Sequence, residues 1–188
     1  MPRVQILKKL KSKQFVDILN KTVMRNGKKN LAFRIIQKSL NIIVHKINKT
    51  NKTNETNETN ETNKTKEDAL IVLEKAIRNT IPSVEIQTRR LGATVYPIPV
   101  ELDIDRGIYR GIRWIVDSAK KRSGKTFAIN LSNEILDASK KSGNAFNKRE
   151  EVHKIAEKNK NKNPRIQKII QKKIKKNKNT RIQNKTKK

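Results

Sequence analysis

The chain has 188 residues with 46 Lys+Arg against 17 Asp+Glu, a formal net charge of +29. That length suits one ordinary domain with extensions, and a folded body so charged repels itself unless it meets a polyanion, most commonly a nucleic acid. Only 34% of residues are hydrophobic and 4% aromatic, no cysteine is present to form disulfides, thiolate zinc sites or a nucleophile, and just His45 and His153 remain for imidazole chemistry.

Taken in chain order, the apolar stretch after Met1 is broken by Lys8, Lys9, Lys11 and Lys13, so no secretory signal is expected. Phe15, Ile18, Leu19 and Val23 mark a first helix that Gly27 ends, and Ala32, Ile35, Ile36, Ile43 and Ile47 a second. His45, beside Ile42, Ile43 and Val44, reads as structural. Residues 48–65 are six triplets of the form Asn-Lys-Thr or Asn-Glu-Thr, with no apolar side chain to offset the entropy of ordering. A disordered insertion over 48–66 is therefore expected. Each triplet is formally a glycosylation sequon, but without a secretory signal no glycosylation is expected.

Ala69, Leu70, Leu73, Ala76 and Ile77 predict a third helix, from after Asp68 to before Pro82. The period then changes to two. Val84, Ile86 and Thr88 alternate with polar neighbours, Leu91-Gly92-Ala93 offers a turn, and Tyr96, Ile98, Val100 and Leu102 alternate back, which predicts a β-hairpin over 83–102. Pro97 and Pro99 lie two apart, so their missing N–H groups must face away from the partner strand. A fourth helix is expected over about 105–121, a fifth over about 125–142 with Phe127, Leu131, Ile135 and Ala138 inward and Gly143 as its stop, and a sixth from near Asn147. Residues 158–188 hold 14 Lys+Arg and no acid, a basic low-complexity tail after a body of residues 1–157. The expected fold is mainly α: a six-helix bundle with one protruding two-stranded hairpin between the third and fourth helices. No apolar run approaches the length of a membrane span.

Three surfaces could carry function. On the fourth helix, at about 100° per residue, Arg106, Arg110, Arg113 and Lys120 fall in one arc opposite Ile108, Ile112, Ile115 and Ala119. Such a row would meet phosphates at roughly 5–6 Å per helical step. A solvated face is the alternative, but such faces mix signs and here only Asp117 interrupts. Trp114, at the border, reads as a core-edge residue more readily than as a base-stacking platform. Arg89-Arg90 precedes the hairpin turn, a basic tip suited to a nucleic-acid groove or junction or simply to solvent. Arg25, Lys28 and Lys29 gather around Asn26-Gly27 at a helix junction, again facing either phosphate or water.

Enzyme signals fail. Ser123-Gly124-Lys125-Thr126 resembles the end of a phosphate-binding loop, but the glycine required five positions before Gly124 is Ala119 and a helix, not a strand, precedes it. Glu150 reaches His153 and Lys154 as ordinary helical neighbours. No enzyme, no cofactor and no metal is expected.

The stretch Arg89-Arg90-Leu91-Gly92-Ala93-Thr94-Val95-Tyr96-Pro97-Ile98-Pro99-Val100-Glu101 resembles the hairpin signature of bacterial-type ribosomal protein seven of the small subunit. Met1-Pro2-Arg3, Val23-Met24-Arg25-Asn26-Gly27-Lys28-Lys29, Ile112-Arg113-Trp114-Ile115-Val116, Ala119-Lys120-Lys121-Arg122-Ser123, Asn133-Glu134-Ile135-Leu136-Asp137-Ala138 and Lys148-Arg149-Glu150-Glu151-Val152-His153 match the same family in the same order, over roughly residues 1–159 without the triplets. The resemblance implies a structural protein that binds the 3′ major domain of small-subunit ribosomal RNA and nucleates assembly of the head. Its partners would include the ninth and eleventh proteins of the small subunit. The RNA-binding set it suggests is Pro2, Arg3, Arg25, Gly27, Lys28, Lys29, Arg106, Arg110, Arg113, Trp114, Lys120, Lys121, Arg122, Lys148, Arg149 and Lys154. Arg89, Arg90, Gly92 and Tyr96 would lie on a hairpin near exit-site transfer RNA and messenger RNA. The family usually has two glycines where Gly92-Ala93 stands, a longer basic N-terminal segment and an aromatic-rich ending. The Lys/Asn/Ile-rich composition suggests an organelle-encoded copy, the mitochondrion preferred to a plastid or a bacterium.

Overall fold

A computed structural model describes residues 12–51, 61–91 and 93–162. Six helices occur among them: α1 (Ser12–Val23), α2 (Lys29–Asn51), α3 (Glu61–Thr80), α4 (Ile104–Lys121), α5 (Phe127–Ser139) and α6 (Gly143–Lys162). Between α3 and α4 stands a hairpin of β1 (Val84–Leu91) and β2 (Thr94–Glu101). This is the mainly helical fold expected. No described helix is long and apolar enough to cross a membrane.

The chain groups into two compact units. Among the described residues, those up to Ser83 together with Leu102–Glu151 form one, and those of Val84–Glu101 with those from Val152 onward form the other. The first holds the main core: Phe15 and Leu19 of α1, Ile36 and Ile43 of α2, Leu73 and Ile77 of α3, Ile108, Ile112 and Ile115 of α4, Leu131 and Ile135 of α5, and Ala145 of α6. Helix α5 lies at its centre, packed against α2, α3 and α4. It is buried almost all round, so its polar side chains need internal partners. Ser132 Oγ donates to the Ile129 carbonyl at 2.8 Å and Ser139 Oγ to that of Leu136 at 2.7 Å. Asn130 Nδ2 donates to the Arg122 carbonyl at 2.8 Å. From α3, Asn79 Nδ2 donates to the carbonyls of Ala138 and Ser139, at 3.0 and 3.1 Å, and so closes the C-terminal end of α5.

Local chemistry sets the element ends. Asn26 and Gly27 both take left-handed φ, at 51° and 73°, and turn the chain from α1 into α2. Thr126 caps α5, its hydroxyl accepting from the Ile129 amide. The stop of α5 comes two residues before the expected Gly143. Lys141 adopts φ 59°, its amide donates to the Ala138 carbonyl at 3.1 Å, and the Ser142 amide donates to that of Asp137 at 2.9 Å. That pair of bonds is a Schellman closure with lysine where glycine is usual. Gly143, at φ 88°, instead opens α6, four residues earlier than expected. Within the segment expected to be disordered, α2 runs on to Asn51 and α3 begins at Glu61; residues 52–60 lie outside the described residues. His45 is exposed rather than packed.

In the hairpin, Ile86 faces Pro99, Thr88 faces Pro97 and Leu91 faces Thr94. Both prolines thus hold alternate, equivalent places in the register, as their missing donors require. The apolar sets of the two strands lie on opposite faces: Val84 and Ile86 share one with the prolines, while Ile98 and Val100 share the other with Gln87 and Glu85. Ile98 is buried.

Candidate nucleic-acid interface

Helix α4 separates its faces cleanly. Ile108, Ile112, Ile115, Val116 and Ala119 are buried, whereas Arg106, Arg110, Arg113 and Lys120 are exposed. Asp105 in the first turn and Lys120 and Lys121 in the last complement the helix dipole. Asp117 sits beneath the cationic row, 3.8 Å from Arg113 Nε and 3.4 Å from Lys120 Nζ. The Arg113 side chain keeps 75% of its surface exposed. Such exposed pairs contribute little, about 0–1 kcal/mol, so a phosphate can displace Asp117 at small cost. Trp114 is half-buried and packs against the core, in agreement with its reading as an edge residue. At the α1–α2 junction Arg25, Lys28 and Lys29 are all exposed, with Gly27 between them.

Arg122 is differently placed from the other cations of the suggested set. Its Nε donates to Glu134 Oε2 at 2.6 Å, and its Nη2 to Asp137 Oδ2. Glu134 is fully buried, and its second oxygen accepts from the Ala145 amide at 2.8 Å. Burial by itself would lower the Arg122 pKa, but hydrogen bonds to Asp137 and Glu134 and the charges of both outweigh it and raise the value. The guanidinium is therefore an internal tie. It joins the end of α4 to α5, and Glu134 carries the tie on to the first turn of α6. Reading the sequence missed this network. The signal was available: two carboxylates three residues apart on the most apolar helix of a chain short of acid.

Lys121 and Lys154 are exposed and Lys148 is half-buried. Arg149 lies 5.6 Å over the Phe146 ring and donates to Glu150 at 3.0 Å, while its Nε is buried with no hydrogen-bond partner. Arg90 is exposed on β1 and Tyr96 half-buried on β2. Arg89 pairs with Tyr96 across the ribbon. Pro2, Arg3 and Gly92 lie outside the described residues. The cations brought together are thus those of the α4 face in one row and those of the α1–α2 junction in one turn. Among the described residues, no group of three or more His, Cys, Asp or Glu could hold a metal ion.

Residues 2–160 match the family model of ribosomal protein S7p/S5e. The chain is 41% identical over 144 residues to small ribosomal subunit protein uS7c of Cyanidium caldarium, covering 77% of this chain and 81% of that protein. It is 39% identical over 145 residues to small ribosomal subunit protein uS7 of Thermosynechococcus vestitus, covering 77% and 81%, and 37% identical over 147 residues to uS7c of Chlorella vulgaris, covering 78% and 83%. These relatives are plastid and cyanobacterial proteins, and none of them supports the preference for a mitochondrial origin. With a family model spanning residues 2–160 and relatives matched over more than three quarters of the chain, the chain belongs to the ribosomal protein S7p/S5e family, whose members are structural ribosomal proteins and not enzymes.

Proposed function

We propose that this protein is a structural constituent of the small ribosomal subunit that binds the 3′ major domain of its ribosomal RNA and nucleates assembly of the head. Its place would be a plastid or bacterial ribosome, the setting of its relatives. The observation that carries the RNA-binding reading is the α4 face: Arg106, Arg110 and Arg113 stand exposed directly opposite the buried isoleucines. A helix so anchored presents its cations on a rigid base, and phosphate contacts made from it need little reordering of backbone. Arg25, Lys28 and Lys29 extend the basic surface, whereas Arg122 serves the fold. The hairpin, with Arg89 and Arg90 near its turn, would reach exit-site transfer RNA and the messenger path, and the ninth and eleventh proteins of the subunit would be neighbours.

Replacing Arg106, Arg110 and Arg113 together by glutamine tests this. Filter binding to small-subunit ribosomal RNA across a salt series should show weaker binding and a log–log salt slope shallower by roughly 0.7–0.9 per lost phosphate contact. An unchanged slope would remove α4 from the interface.

A further inference from the structure

Beside the α1–α2 junction lies an open groove of about 310 Å³. Val23, Leu31, Ile35 and Phe127 supply an apolar lining, and Arg25, Lys28 and Lys120 also border it. Leu31 is 54% exposed. Lys120 belongs at once to this groove and to the cationic row of α4. Among the described residues its ion-pair partner is Asp117, an exchangeable one.

The geometry points to a receptor for one unstacked nucleobase of single-stranded RNA, its flanking phosphates held by Arg25, Lys28 and Lys120. This rests on the RNA-binding reading above and deepens it. A strand laid along the α4 row brings its backbone to Lys120, which also borders this apolar groove. Bases splayed from loops and bulges are held on aromatic and apolar side chains, and Phe127 offers such a surface. At about 310 Å³ the groove has room for a base, and three cations around apolar walls complement a nucleotide, which is anionic outside and flat and poorly hydrated within. The site reads the base by shape and stacking, so it takes a single-stranded or bulged nucleotide and not a paired one.

Methyl NMR on the full-length protein tests the inference with two probes of like charge, octa-adenylate and inorganic polyphosphate. Octa-adenylate should shift the methyls of Val23, Leu31 and Ile35, and polyphosphate should leave them in place. Leu31→Gln, neutral and half-exposed, should weaken octa-adenylate binding about five- to tenfold, the lower end of what stacking one base contributes, with polyphosphate binding unchanged. Methyls silent to RNA, while the α4 triple variant still loses affinity, would overturn the groove and leave the RNA-binding reading standing. Methyls that shift with RNA while the triple variant binds normally would support the groove and count against the α4 face. Shifts caused by an acidic leucine-containing peptide but not by RNA would overturn the inference in favour of a protein partner.

Discussion

A fully buried carboxylate needs a local reason, and Glu134 has two: the Arg122 guanidinium and the Ala145 amide. Removing one partner of a buried pair costs more than the pair contributes, because the remaining charge or donor is left without compensation. Glu134→Ala should lower stability by about 3 kcal/mol in urea unfolding. Glu134→Gln keeps an acceptor for the Ala145 amide and should cost about 1–2 kcal/mol. Where both variants remain folded, affinity for RNA should match the parent's, since Glu134 is fully buried and Asp137 still holds Arg122. A loss of RNA affinity at full folding would return Arg122 to the interface. At the same scale, Lys141 shows what a one-letter signal conceals. Glycine is the usual mark of a helix stop, so Gly143 attracted the boundary, yet the left-handed residue that closes α5 is Lys141, and the closing bonds from the Lys141 and Ser142 amides show only in coordinates.

At the scale of elements, the helices were legible because each needs only its own stripe. Ile108, Ile112 and Ile115 identify the buried face of α4 without knowledge of its neighbours. The hairpin was legible from its alternation and prolines, but the opposition of its two apolar sets was not, because register is a property of the pair. How closely elements approach was also hidden. A Cβ built on Gly111 of α4 would lie 3.1 Å from the Thr80 carbonyl oxygen and 3.3 Å from Ile81 Cα. These are backbone atoms at the end of α3, which cannot rotate aside as a side chain can. Alanine favours a helix interior over glycine by about 1 kcal/mol, but forced overpacking costs typically 1–3 kcal/mol. Gly111→Ala should therefore destabilise by about 1 kcal/mol net in chemical denaturation, despite its better propensity. A stabilised variant would show that α3 and α4 can separate freely.

Across the whole molecule the dominant quantity is charge, and it has two sources. Residues 163–188 contain eleven Lys and Arg and no acid, so removing them takes the net charge from +29 to +18. What remains is still strongly basic, and it includes the exposed faces of α4 and the α1–α2 junction. Charge spread along a low-complexity segment attracts any polyanion, whereas cations fixed on a packed helix can match one arrangement of phosphates. A chain ending at Lys162 should therefore keep its helical circular dichroism and bind RNA of every sequence more weakly at low salt. Its salt slope should be shallower, by roughly 0.7–0.9 for each phosphate contact the missing segment made. Its preference for small-subunit ribosomal RNA over an unrelated RNA of equal length should stay the same or rise, because the term lost is the indiscriminate one. Competition binding at two salt concentrations measures both quantities on one sample. If truncation erases the preference while the helical signal is intact, recognition resides in the terminal segment, and the cationic face of α4 is only a solvated surface.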